Sequence, residues 1–195
     1  MKKFIKRTFD LACVFFASIV FLPFFIVVYI AIKMEDGGPA IFQQERIGYK
    51  GKPFMLYKFR SMKVDAEKGG KPQLWAGEED ERLTKVGKFI REHHLDELPQ
   101  FWNIWKGDMS FVGYRPERQY FIDKIMAENP DYAKLYAMRP GVFSNATLYN
   151  GYTDTMEKML KRLDMDLEYL ENHSLWTDIV IIFKTGVSIL TGKKF

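Results

Sequence analysis

Leu11–Ile32 reads LACVFFASIVFLPFFIVVYIAI, 22 residues without a charge. As a straight helix it would measure about 33 Å at roughly 1.5 Å per residue, enough to cross a hydrocarbon core. Lys2, Lys3, Lys6 and Arg7 precede it, and basic flanks favour a cytoplasmic N-terminus. A cleavable signal peptide is the competing reading. The run is too long for an ordinary h-region, and Lys33-Met34-Glu35-Asp36 lacks a small-residue cleavage pattern. Pro23 stands near the middle of the run. A mid-helix proline removes one backbone donor and kinks the helix. Two topologies are open: a kinked spanning helix with its ends on opposite sides, or a re-entrant helix that bends at Leu22-Pro23 and returns both ends to one side. Use of a nucleotide by the following domain requires the re-entrant form. Arg7 and Asp10, three apart on the entering helix, are expected to pair at the interface.

Gly37-Gly38-Pro39 ends this segment. The chain thus divides into a membrane anchor, residues 1–36, and a domain, residues 37–195. In the domain, Phe54, Leu56 and Lys58 alternate with Met55, Tyr57 and Phe59, which predicts a short hairpin turning at Tyr49-Lys50-Gly51-Lys52. Val64–Glu81 is polar and reads as a loop. Helical signals dominate afterwards. Leu83, Val86, Phe89 and Ile90 share a face, as do Leu98, Phe101, Trp102 and Trp105. Pro99 belongs in a first turn, which sets Asp96 or Glu97 at the positive start of a helix. Glu117–Ala127 is a further helix, and Met156, Met159, Leu160, Leu163, Leu167 and Leu170 mark an amphipathic one. Ser174–Leu190 is strongly apolar but carries Asp178 and Lys184. It reads as an amphipathic helix on the bilayer or on the domain, with a second span as the alternative. The fold class is therefore α/β and helix-rich: a membrane helix interrupted at Pro23, spanning or re-entrant, then a small domain with a short β-hairpin and amphipathic interfacial helices.

Composition narrows the function. Seventeen Phe, 10 Tyr and 4 Trp in 195 residues is a rich aromatic content, and aromatic rings favour membrane–water interfaces. A net charge of +4 excludes a polybasic nucleic-acid binder. The small excess suits an anionic membrane surface or an anionic substrate. With Cys13 alone, neither an intramolecular disulfide nor a CxxC metal site can form.

The chemistry concentrates in Arg91–Pro116, REHHLDELPQFWNIWKGDMSFVGYRP. Adjacent carboxylates (Asp96, Glu97), a third acid (Asp108) and two arginines (Arg91, Arg115) surround a short aromatic helix. Such a set suits chemistry on a phosphate. One carboxylate attacks phosphorus, another holds Mg²⁺, and the arginines neutralise phosphate oxygens. Lys58 and Arg60, leaving the hairpin, supply further cations, and Arg139 in the Arg139-Pro140-Gly141 turn is a candidate phosphate or uridine contact. His93 and His94 are adjacent and do not share a helical face, which disfavours zinc. Trp102 and Trp105 read as core or interface packing, with base stacking as the sharper alternative.

These residues, taken in order, resemble the bacterial sugar transferase family, the small monotopic phosphoglycosyl transferases that act on polyprenol phosphate. The resemblance rests on Lys6-Arg7-x-x-Asp10 before a proline-containing membrane segment, Phe42-x-Gln44-x-Arg46-x-Gly48 and Tyr57-Lys58-Phe59-Arg60-Ser61-Met62. It continues through Arg82-x-Thr84-x-x-Gly87-x-x-Ile90-Arg91, Leu95-Asp96-Glu97-Leu98-Pro99-Gln100, Asn103 and Gly107-Asp108-Met109-Ser110. Val112-Gly113-x-Arg115-Pro116, Arg139-Pro140-Gly141 and Asp166-x-x-Tyr169-x-x-Asn172-x-Ser174-x-x-x-Asp178 close it.

The resemblance implies a re-entrant helix in the bacterial cytoplasmic membrane, with the catalytic domain on the cytoplasmic face of the inner leaflet. It implies a UDP-sugar donor, Mg²⁺, and transfer of sugar-1-phosphate to undecaprenyl phosphate with release of UMP. Such a reaction opens the membrane stage of polysaccharide or glycoconjugate synthesis. On the family pattern Asp96 is the nucleophile and Glu97 the Mg²⁺ ligand; Arg91 and Arg115, with Lys58 and Arg60, stabilise phosphate charge. Amphipathic helices at a membrane are compatible with a homodimer, though no heptad seam demands one. The chain departs from the family pattern at Leu22, where serine is usual, at Tyr114, where proline is usual, and over Val142–Thr147. The competing functions are a catalytically silent membrane scaffold and a phosphatase in which water takes the phosphosugar. Direct single displacement is the competing mechanism.

Overall fold

The computed structural model describes residues 3–66, 80–151 and 153–191. Most of the loop read at Val64–Glu81 lies outside the described residues. The dominant element is α1 (Lys3–Asp36), a helix with Pro23 inside it. The expected break is thus absent as an interruption: the helix runs on through the proline. Proline removes one donor and crowds one carbonyl, a local cost of about 3 kcal/mol. In an apolar run every other backbone group still needs an internal partner, so the helix resumes at once.

Both ends of α1 hold the same domain. Near its start, Arg7 Nη1 donates to Ile104 O at 2.7 Å, and Asp10 accepts from Ser110 Oγ and from the Phe111 N–H. At its end, Asp36 accepts from both terminal nitrogens of Arg60, and Glu35 Oε1 accepts from the Lys85 N–H at 2.7 Å. Val14, Val28 and Ile32 are buried in the domain's core. The remainder is bare: only 11 % of the most apolar 18-residue window is buried. A core helix would be mostly covered, so this one requires an apolar medium. Among the described residues it is the one helix long and apolar enough to cross a membrane.

The hairpin forms as its alternation predicts. β1 (Ile41–Ile47) pairs antiparallel with β2 (Pro53–Phe59), and a 3₁₀ turn at Tyr49–Gly51 joins them. Both faces are covered: Leu56 packs with Phe111 and Val142, while Phe59 lies 4.7 Å from the Phe25 ring of α1. α2 (Lys85–Glu92) follows, capped by Thr84, whose side chain accepts from the Gly87 N–H. A 3₁₀ turn, Leu95–Glu97, then precedes α3 (Gln100–Lys106). The carboxylates therefore sit in this turn and not on the first turn of α3 itself. Gly107, at φ 89°, stops α3 in the left-handed region that favours glycine.

One element was not legible: β3 (Ser110–Val112) pairs in parallel with β4 (Gly141–Phe143). The strands approach closely at Gly113 and Gly141. A Cβ on Gly141 would stand 2.0 Å from Gly113 N, so a side chain is excluded there. The helices α4 (Gln119–Glu128), α5 (Asn145–Asn150), α6 (Met156–Asn172) and α7 (Leu175–Leu190) complete the chain. α7 is held on the domain by Asp178, fully buried, which pairs with Lys6 at 2.8 Å and accepts from the Tyr169 hydroxyl. A carboxylate satisfied this way argues against α7 as a second span.

Candidate active site

A cavity of about 1180 Å³ opens between α1, the hairpin, the turn before α3 and helices α5 to α7. Lys58, Arg91, Asp96, Glu97 and Arg115 all line it. They come from four local structures. Strand alternation points Lys58 inward, two residues from the buried Leu56. The end of α2 carries Arg91, and the 3₁₀ turn carries the two acids. The close β3–β4 approach at Gly113 delivers Arg115. His94, at φ 55°, turns the chain sharply just before the acids and also lines the cavity.

Lys58 joins the two carboxylates: its Nζ lies 2.7 Å from Glu97 Oε1 and 3.8 Å from Asp96 Oδ2. Arg115 Nη2 reaches the same Glu97 oxygen at 3.2 Å. Asp96 is 6 % exposed. Burial pushes its carboxyl up, and Glu97 adds to this, against the pull of Lys58 and Arg91. Burial acts on Glu97 too, but there Lys58 and Arg115 outweigh it and hold the carboxyl well below the usual range. Two neighbouring acids are thus driven apart, a pattern that assigns different roles to each. Asp96 is the more basic of the two, and Glu97 stays ionised.

Three sequence-derived assignments need correction: Arg60, Arg139 and the Arg7–Asp10 pair. Arg60 lines the cavity, yet it is 5 % exposed and committed to Asp36, to Pro39 O at 2.7 Å and to Met62 O. It locks the end of α1 to the hairpin exit. Arg139 lies outside the cavity lining; its Nε donates to Gly107 O at 2.7 Å and its guanidinium stands 5.2 Å from the Tyr49 ring. Arg7 and Asp10 do not bond each other. Arg7 caps the carbonyls of Ile104 and Trp105 at the end of α3, whereas Asp10 faces β3 and takes Lys6 at 3.0 Å. They lie three residues apart on α1, and each found its own partner on the domain. Trp102 and Trp105 are exposed beside α1 and share a second, apolar cavity with Phe21, Leu22 and Phe25, apart from the acids.

Other residues at the site escaped sequence reasoning. Arg46 and Arg162 clasp the two oxygens of Glu117 at 2.9 and 2.7 Å on the cavity wall. Asp166 accepts from Ser144 Oγ at 3.0 Å and from the Arg115 N–H, so α6 braces the arginine loop. Arg46 and Asp166 stand in the ordered motifs, but nothing local reveals their partners.

A divalent cation can be tested against the donors present. Asp96 and Glu97 offer oxygen only, which suits a hard cation, and none of Glu97's bonds to described residues uses Oε2. Among the described residues no group of three or more His, Cys, Asp or Glu forms a cage. So sparse a donor set is compatible with Mg²⁺, which can bind through one or two carboxylates and complete its shell with phosphate oxygens and water.

The family model described as bacterial sugar transferase matches residues 1–192. An Aeromonas hydrophila protein, UDP-N-acetylgalactosamine-undecaprenyl-phosphate N-acetylgalactosaminephosphotransferase, is 41 % identical over 97 % of this chain and 44 % of its own length. UDP-glucose:undecaprenyl-phosphate glucose-1-phosphate transferases of Caulobacter vibrioides and Escherichia coli are each 38 % identical over 95 % of this chain, and over 70 % and 40 % of their own lengths. The chain thus spans less than half of two of these relatives. With a full-length family match and these identities, the chain belongs to the bacterial sugar transferase family.

Proposed function

We propose that this protein transfers sugar-1-phosphate from a UDP-sugar to undecaprenyl phosphate, releasing UMP. The observation that carries this reading is one cavity with two kinds of wall. Asp96, Glu97, Lys58, Arg91 and Arg115 form one; Cys13, Phe16, Ala17 and Phe21 of the bare apolar helix form another. An anionic, water-soluble donor and a lipid acceptor can meet there.

Asp96 attacks the β-phosphorus of the donor. A P–O bond forms to the carboxylate, the bond to the bridging oxygen breaks, and UMP leaves with the electron pair. An oxygen of the lipid phosphate then attacks the phosphosugar–aspartate, and the carboxylate returns as leaving group. Burial favours this use of Asp96, because a desolvated carboxylate is more basic. Arg91, Arg115 and Lys58 face the charge that spreads over the phosphoryl oxygens. Glu97 would hold Mg²⁺ together with donor phosphates, and that ion when bound neutralises phosphate charge.

The helix α1 dips into the inner leaflet of the cytoplasmic membrane and returns, with the domain on the cytoplasmic face. Supporting this, Arg7 and Asp10 at one end and Asp36 at the other grip one domain, which a spanning helix would have to straddle. Trp102 and Trp105 beside α1, and Trp176, Ile179 and Phe183 along the outer face of α7, are exposed apolar groups suited to the interface. A bend at Pro23 would set the depth of insertion. The test of the covalent step is incubation with a UDP-sugar radiolabelled in the sugar-phosphate half. Label should remain on wild type after denaturation and be absent from Asp96→Asn; equal labelling of both would overturn Asp96 as nucleophile.

A further inference from the structure

Three cations from three separate parts of the chain converge on one ring. Around Tyr49, in the hairpin turn, stand Lys3 Nζ at 5.5 Å, Lys50 Nζ at 5.4 Å and the Arg139 guanidinium at 5.2 Å from the ring centroid. Lys3 also donates to the Tyr49 hydroxyl at 3.2 Å. That hydrogen bond draws the phenol below its ordinary value, and the charges of Lys3, Lys50 and Arg139 add to it against the opposing effect of burial. Arg7 brings a fourth charge, lying against Gly107, whose carbonyl accepts from Arg139. Like charges repel, and one exposed ring cannot neutralise three cations. Among the described residues none of the four forms an ion pair. The acids nearest in the chain are committed: Asp10 holds Lys6 at 3.0 Å, and Asp108 holds Lys106 at 3.0 Å. Carbonyls at the end of α3 take up part of the charge of Arg7 and Arg139. Lys3 and Lys50 are exposed and have no such compensation. Lys50 stands at φ 60°, in the left-handed region where glycine is the easier occupant, so the turn holds a charge where the backbone does not favour one.

The place of this cluster identifies what neutralises it. The apolar helix begins here: beside Lys3, Phe4 is 81 % and Ile5 45 % exposed. Cations at that level meet the phosphates of a leaflet, and a lysine stem lets the ammonium reach them from an apolar surrounding. We propose that Lys3, Lys50 and Arg139, gathered round Tyr49, bind the headgroup of an anionic phospholipid. A phosphodiester accepts from both ammonium groups and from the Nη atoms of Arg139, which make no hydrogen bond among the described residues. Arg139 thereby has a phosphate partner, though not the donor's. None of Lys3, Tyr49, Lys50 and Arg139 lines the cavity that holds Asp96. The inference therefore needs only that α1 lies in lipid, and it is independent of the transfer reaction. Its consequence is mechanical: one lipid ties the start of α1 to the hairpin turn 46 residues along the chain and fixes both at headgroup level.

Competition between two phospholipids for the full chain tests this. Wild type and Lys3→Gln/Lys50→Gln are held in neutral detergent micelles doped with equal amounts of phosphatidylglycerol and phosphatidylcholine. Native mass spectrometry then reads which lipid stays bound. Wild type should favour phosphatidylglycerol about tenfold, and the double variant should lose most of that preference. Equal retention of the two lipids by wild type, or an undiminished preference in the variant, would overturn the site. Inorganic phosphate at millimolar concentration separates the possible sources of the anion. It should leave the preference intact; displacement of phosphatidylglycerol by it would make this a site for free anions and overturn the headgroup. A second readout needs no variant. Acetylation of Lys50 by a water-soluble succinimidyl ester, relative to Lys158 on α6, should be slower in phosphatidylglycerol vesicles than in phosphatidylcholine vesicles, and equal ratios would count against the proposal. Both substituted lysines are exposed and lie outside the cavity, so the variant should keep the wild-type melting temperature in micelles. Wild type that transfers sugar phosphate yet shows no lipid preference loses this site alone.

Discussion

Lys58 Nζ sits 2.7 Å from Glu97 Oε1, so the last strand of the hairpin supplies the cation that keeps this carboxylate ionised. Replacing Lys58 by Met removes that charge at nearly constant length. The Glu97 carboxyl should rise, and the acid limb of the pH–rate profile for UMP release should move to higher pH. Turnover should fall on the order of 10²-fold, the scale seen when one stabilising group is lost. An unshifted acid limb in Lys58→Met would contradict the electrostatic assignment.

Arg60 offers a contrast. It was expected to touch phosphate, but both its terminal nitrogens are spent on Asp36. Arg60→Lys should lower the melting temperature and loosen the end of α1 while leaving the KM for the donor unchanged. A raised donor KM at unaltered melting temperature would restore Arg60 to the substrate.

Asp10 is 1 % exposed and accepts from Lys6, Ser110 and the Phe111 N–H. Removing it strands those donors in the core. Asp10→Ala should cost about 3 kcal/mol of folding stability, measured by unfolding in micelles. Arg7→Met should cost less, because Arg7 only caps carbonyls at the edge of α3. Equal losses would show that the two act as the pair expected from their spacing.

The failures of sequence reading share one cause. The hairpin turn at Tyr49–Lys52 and the stripe from Met156 to Leu170 were legible because a strand or helix reports its own period within a few residues. Which face meets which is decided elsewhere. Arg7 found its carbonyls at 104 and 105, Arg60 turned back to Asp36, and β3 paired with a three-residue strand at Gly141. None of these partners is encoded by local spacing. The acids fared better because Asp96 and Glu97 are adjacent and Arg91 stands only five residues before them, so composition alone concentrates them. Arg46 and Arg162 are scattered in sequence and meet at Glu117 only through the packing of β1 and α6.

Asp166 provides a pH signature. Burial raises its carboxyl from 3.8 to about 7, against the opposing pull of Arg162 and the Ser144 hydrogen bond. Between those values the folded state keeps a proton that the unfolded state has lost, so this group's contribution to stability falls as pH rises through the interval. Asp166→Asn removes the titration. The melting temperature of the variant relative to wild type should climb from about pH 4 to about pH 7 and level off above. Parallel profiles would contradict the raised carboxyl.

The central claim is that Asp96 carries the phosphosugar between a nucleotide donor and a lipid phosphate. Its most direct test is UMP release from a panel of UDP-sugars, with undecaprenyl phosphate and Mg²⁺, by wild type and Asp96→Asn. The account predicts release from at least one donor, dependent on lipid for continued turnover and absent in the variant. Release by Asp96→Asn at the wild-type rate would contradict it.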